Sequence, residues 1–120
     1  MRKVLIVDDS VSMRQMVSFT LRQGGFDVVE AEHGQDALNK LAQTTVDLII
    51  TDLNMPVMDG ITLIQNIRKQ PAMKGKPILM LTTEGLAAKK EQGKAAGATG
   101  WIVKPFDPDK LLQTLAKVLP

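Results

Sequence analysis

Val4-Leu5-Ile6-Val7-Asp8-Asp9, Leu48-Ile49-Ile50-Thr51-Asp52 and Trp101-Ile102-Val103-Lys104 decide how this chain reads. Each is a short apolar run, rich in β-branched residues, that stops at a charged side chain. Runs of this kind are expected as strands buried on both faces of a sheet. A carboxylate at the end of a buried strand is poorly placed for a structural role. Aspartates from two strand ends and a lysine from a third, gathered at one sheet edge, make a site.

Working outward, strand-like runs fall near 3–8, 27–31, 47–52, 77–82 and 100–104, and helical patterns near 11–23, 35–43, 61–69, 87–96 and 108–119. Alternation of this kind predicts an α/β fold, with a mostly parallel five-stranded sheet and helices on both faces. Right-handed crossovers then bring every strand's C-terminal end to the same edge, where open sheets bind ligands. Local signals agree. Asp107 before Pro108 reads as a helix cap followed by proline at the first helical position. Leu111, Leu112, Leu115, Val118 and Leu119 form one apolar stripe behind it. Gly24-Gly25 ends the first helix. Its start has two rival caps, Ser10 and a capping box of Ser12 with Gln15. The helix near 87–96 carries Ala87, Ala88, Gly93, Ala95 and Ala96. It is either weakly anchored or packed closely through small residues.

At 120 residues the chain is expected to be one domain spanning 1–120, and 44% apolar residues suit a soluble globular protein. No apolar run approaches the roughly 20 residues of a membrane span. With no cysteine there is neither a disulfide framework nor thiolate chemistry, and a cytoplasmic protein is expected. Net charge is only +2. Lys89, Lys90 and Lys94 have no interleaved aromatics, so they read as a solvated helix face rather than a nucleic-acid patch.

Asp8, Asp9 and Asp52 should converge, because their strands are expected to be neighbours. Two such charges about 4 Å apart repel by roughly 4 kcal/mol at an effective dielectric of 20. Lys104 supplies one compensating charge. A divalent cation would supply two more, and oxygen ligands with open positions suit Mg²⁺. An aspartate beside a metal and a lysine can attack phosphorus and form an acyl phosphate. Thr82 or Thr83, after the fourth strand, should add a hydroxyl donor. His33, with no second histidine or cysteine at ligand spacing, reads as a surface residue.

In order, Asp8-Asp9, Asp52, Asn54-Met55-Pro56, Asp59-Gly60, Thr82 and Lys104-Pro105-Phe106 resemble the motifs of the receiver domain of two-component response regulators, particularly the single-domain chemotaxis regulators. The resemblance covers essentially the whole chain. It implies a flavodoxin-like (βα)5 fold, whose strand order is the family's known topology rather than a reading of these residues. It implies Asp52 as phosphoacceptor, with Asp9, Asp52 and the Asn54 backbone carbonyl as Mg²⁺ ligands and Asp8 acting through water. Lys104 would pair with phosphoryl oxygens, and Thr82 would move to hydrogen-bond them. Trp101 stands where the family has an aromatic that turns inward on activation, although its alternative is an ordinary core or half-exposed tryptophan. Asn54 and Glu84 would border the attacking water and tune hydrolysis. The Lys104-Pro105 bond is similar to one that is cis in the family.

The resemblance implies partners as well: a histidine kinase as phosphodonor, a flagellar motor switch or other protein as target, and a phosphatase. The target would meet the last three α/β elements, and the kinase the first helix and its neighbouring loops. No nucleic acid, no membrane and a monomer are expected, and the module would not be an enzyme beyond its own phosphorylation and dephosphorylation. A phosphate sink or relay receiver is the alternative within this reading. A small Mg²⁺-dependent phosphatase of the haloacid-dehalogenase type would need an aspartate where Ser10 stands. A flavin or nucleotide carrier would need a glycine-bearing phosphate loop where Asp8-Asp9-Ser10-Val11 stands.

Overall fold

Among the described residues, the periodicities of the chain translate into five strands and five helices in alternation. They are β1 (Lys3–Val7), α1 (Val11–Gln23), β2 (Asp27–Ala31), α2 (Gly34–Gln43), β3 (Leu48–Asp52), α3 (Gly60–Arg68), β4 (Ile78–Thr82), α4 (Ala87–Ala96), β5 (Gly100–Val103) and α5 (Pro108–Val118). The structure is a computed structural model that describes residues 2–53, 55, 57–82, 87–104 and 106–119. All strand pairs are parallel, in the order β2-β1-β3-β4-β5. A short 3₁₀ turn at Pro71–Met73, which the sequence pattern did not announce, leads into β4.

Alternate residues of the central strands feed two cores. Val4 and Ile6 of β1 pack with Val17 and Leu21 of α1 and with Leu111 and Leu115 of α5. Leu5 and Val7 pack on the opposite face with Ala37 of α2 and with Leu63, Ile64 and Ile67 of α3. Burial on both faces is why β1 and β3 read as continuous apolar runs rather than alternating ones. The edge strand β5 does alternate, and leaves Trp101 and Val103 exposed.

Helix caps follow the local chemistry, with one open choice settled and one correction. Ser10, not Ser12, caps α1: its side chain accepts from the Met13 N–H at 3.3 Å. His33 is half-buried rather than simply on the surface, and it caps α2 by accepting the Asp36 N–H on Nδ1 at 3.1 Å. Asp107 caps α5 ahead of Pro108 as expected. In α4, Gly93 is buried, and a Cβ there would lie 2.0 Å from Met80 Sδ. The helix therefore approaches the sheet closely through a small residue, while Glu91, Gln92, Lys94 and Ala95 are exposed. Both readings of α4 contribute: the approach is tight, but no large apolar side chain anchors it.

Gly60, at the start of α3, sits against the end of β3. A Cβ there would lie 2.3 Å from the Asp52 carbonyl oxygen and 2.9 Å from Leu53 Cα. Both are backbone atoms that cannot swing away. Gly60→Ala is therefore expected to destabilise the protein by about 2 kcal/mol or more, lowering the melting temperature by on the order of 8 °C for a domain of this size. A melt unchanged from wild type would show that the end of β3 can yield.

Candidate functional site

Register, rather than chance proximity, assembles the charged strand ends. Val7 of β1 is paired with Thr51 of β3, so the next residues, Asp8 and Asp52, emerge side by side. Asp52 is level with Leu81, which places Thr82 one step further along β4. Thr82 is level with Val103, so Lys104 is the first residue beyond β5. Two backbone bonds extend the ladders past the regular strands: Asp8 N–H to the Ala31 carbonyl at 3.2 Å, and Lys104 N–H to the Thr82 carbonyl at 2.7 Å.

Within this edge the Lys104 ammonium lies between two carboxylates, 3.3 Å from Asp8 Oδ2 and 3.2 Å from Asp52 Oδ1. Asp8 is fully buried, Asp52 nearly so, and Thr82 is buried beside them. Asp8 Oδ1 accepts the Ser10 N–H at 2.9 Å, and Asp52 Oδ1 accepts the Leu53 N–H at 2.9 Å. Asp9 is exposed at the rim. One carboxylate oxygen from each of Asp8, Asp9 and Asp52 can be chosen so that all lie within 4.8 Å of one another. Three hard oxygen donors open to solvent on one side fit a Mg²⁺ ion that keeps several waters.

Burial and the neighbouring Asp8 charge hold the Asp52 carboxyl above the ordinary carboxylate range. Lys104 and the Leu53 N–H pull the other way without reversing it. Nearby positive charge would relieve this repulsion.

Trp101 has its ring contact elsewhere. It is 41% exposed, and the Lys90 ammonium stands 4.6 Å from its ring centroid. The half-exposed alternative describes its position here. Asn54, Glu84, Thr83 and the Lys104-Pro105 bond lie outside the described residues. The β3–α3 connection includes Val57, held at φ 71, a left-handed conformation that is unfavourable for a β-branched residue.

Two contacts at the site leave little trace in the sequence. Gly60 stands in the sequence as part of the Asp59-Gly60 motif, with no sign of its close approach to the end of β3. Arg14 is not marked by any motif, yet its Nη1 donates to the Asp8 carbonyl at 2.7 Å and its Nε to Glu30 Oε1 at 3.1 Å. The weak signal is the pair itself: a basic residue early in α1 and an acid on β2.

The model of the response regulator receiver domain family matches residues 4–116. Chemotaxis protein CheY1 of Helicobacter pylori is 44% identical over 119 residues, covering 98% of this chain and 96% of that protein. A chemotaxis protein CheY homolog of Campylobacter jejuni is also 44% identical over 119 residues, with 98% and 92% covered. Among solved structures, chemotaxis protein CheY4 of Vibrio cholerae superposes with a TM-score of 0.96 at 55% identity, over 99% of each chain.

The raised Asp52 titration has a stability consequence with a definite sign. An acid whose folded value is raised binds protons more readily in the folded state than in the unfolded one. Metal-free stability from this group therefore falls as pH rises from the ordinary carboxylate value through the raised one. Asp52→Asn removes that penalty. In chelator near pH 7 the variant should melt above wild type, and the gap should narrow as the pH is lowered toward the ordinary carboxylate range. Identical melts at both ends of that range would mean that the carboxylates do not oppose one another.

Proposed function

The chain belongs to the response regulator receiver domain family, and from that premise we propose that it is a stand-alone, phosphorylation-controlled signalling module. The observation that carries this reading is the Lys104 ammonium bridging Asp8 and Asp52 at the carboxyl edge of the sheet. Asp52 is the phosphoacceptor. One of its carboxylate oxygens attacks the phosphorus of a phosphohistidine on a kinase. The P–N bond breaks, the imidazole leaves, and an acyl phosphate forms on Asp52.

Asp9, Asp52 and the Asn54 carbonyl would hold Mg²⁺, with Asp8 contributing through water. The ion supplies charge neutralisation for the transferring group. Lys104 is already within reach of the reacting oxygen, so it can exchange a carboxylate for a phosphoryl oxygen with little movement. Hydrolysis returns Asp52 to its free carboxylate, with Asn54 and Glu84 bordering the water.

Phosphorylation adds about −1.5 to −2 charges and strong acceptor oxygens. Lys104 and Thr82 are drawn to them, and both lead into the face that carries α4 and Trp101. A change in that face alters the affinity for a protein target. The exposed Val11, Met16 and Phe19 on α1 support this helix as the surface met by the phosphodonor. The names of the relatives favour a chemotaxis pathway, with a chemotaxis-type histidine kinase upstream and a motor switch or other protein downstream. A phosphatase would complete the cycle. The chain acts as a cytoplasmic monomer of one domain, rather than as an enzyme on other substrates.

Incubation with a cognate phosphorylated kinase and Mg²⁺ should label the wild type with radioactive phosphate, and chelator should abolish the labelling. Asp52→Asn should take no label. Addition of beryllofluoride with Mg²⁺ should change the emission of Trp101, the single tryptophan of the chain. Undiminished labelling of Asp52→Asn would remove Asp52 from the role of acceptor.

A further inference from the structure

The carbonyl of Asp8 belongs to the peptide that joins Asp8 to Asp9. Its direction therefore constrains where both carboxylates can point. Arg14 Nη1 donates to that carbonyl at 2.7 Å, and Arg14 Nε donates to Glu30 Oε1 at 3.1 Å. Glu30 is anchored in its turn. It lies on β2 level with Ile6 of β1, Arg22 stands 3.7 Å from its other oxygen, and Lys40 of α2 donates to its backbone carbonyl. The Arg14 side chain is only 14% exposed. A planar guanidinium held at two of its donors is a rigid strut, which an ammonium cannot imitate.

Asp8 and Asp9 depend on this strut to different degrees. The Asp8 carboxylate has partners of its own, the Ser10 N–H and Lys104. Asp9 makes no hydrogen bond or ion pair among the described residues, yet one of its oxygens belongs to the three-carboxylate group. Its placement rests on the backbone alone, and so on the peptide that Arg14 holds.

We propose that Arg14 is a positioning residue of the acidic pocket. Braced by Glu30, it fixes the Asp8–Asp9 peptide so that the two carboxylates are presented together to a divalent cation. The inference rests on the reading of this pocket as a Mg²⁺ site. A second effect opposes it, because a guanidinium near the pocket repels a cation and its loss would tighten binding. Glu30 offsets most of that charge, so orientation is expected to win. Groups that orient metal ligands are typically worth 10–100-fold in affinity. Arg14 acts through a backbone carbonyl, which places it at about the lower end, tenfold.

Calorimetric titration of the full chain with Mg²⁺ tests this. Arg14→Met should bind about tenfold more weakly, with the Asp9 and Ser10 amide resonances displaced in the metal-free protein. Arg14→Lys keeps the charge without the fork and should lose most of the same affinity. Arg22→Met removes an equal charge and a Glu30 contact but leaves the Asp8 carbonyl held, and should bind as wild type does. A purely structural role would lower the melting temperature and leave the affinity of the folded protein unchanged.

Arg14→Met binding as tightly as wild type, or Arg14→Lys behaving as wild type while Arg14→Met does not, would overturn the proposal. If Arg14→Met fails to fold, Arg14→Lys and Glu30→Gln decide. Weakened binding in both supports the strut, and wild-type binding in both overturns it. A wild type that shows no Mg²⁺ binding at all would instead overturn the metal reading on which the inference rests.

Discussion

Two carboxylates that the sheet forces side by side, with one ammonium between them, set the terms for the rest of this molecule. The β1–β3 register leaves no freedom: if Val7 faces Thr51, Asp8 faces Asp52. Both are buried in a core that would otherwise exclude charge. Lys104 neutralises one of them at most. Burial and Asp8 hold the Asp52 carboxyl high, so the folded chain carries an unfavourable interaction at its own carboxyl edge. Such a deficit would favour a cation at this edge, and in the proposed reading it makes the acceptor both reactive and switchable.

The surrounding structure keeps this deficit from relaxing. Gly60 lets α3 start directly against the Asp52 carbonyl, so the end of β3 has nowhere to move. Arg14 and Glu30 brace the peptide between Asp8 and Asp9 from the other side. The Lys104 N–H is bonded to the Thr82 carbonyl, which ties the lysine's backbone to the strand that leads toward α4. A new anion at Asp52 would therefore be felt first through the Lys104 and Thr82 side chains. The neighbouring α4 contacts the sheet through Gly93 without a large apolar anchor, and Trp101 lies on the open face beside it.

Much of this is legible in the amino-acid sequence. A buried parallel strand is a continuous apolar run, and a run that stops at a charge marks where the strand leaves the core. The five strands and five helices therefore fell within about a residue of their observed limits, and Asp8, Asp52, Thr82 and Lys104 were brought to one edge as read. What escaped were contacts whose partners are backbone atoms of distant segments. Arg14 holds a carbonyl, and Gly60 makes room for one. Neither leaves a periodicity or a spacing to read. The choice of Ser10 over Ser12 as cap depended on which hydroxyl meets an unpaired N–H. His33 looked idle because an imidazole cap has no sequence signature as clear as a serine's.

If the two buried carboxylates oppose one another, the pocket is electrostatically unsatisfied until a cation enters. Carbon-13 NMR titration of the Asp52 carboxyl, with and without saturating Mg²⁺, addresses it directly. The metal-free titration should lie above the ordinary carboxylate range and fall clearly when Mg²⁺ is present. An ordinary value in both conditions, unchanged by the metal, would contradict it.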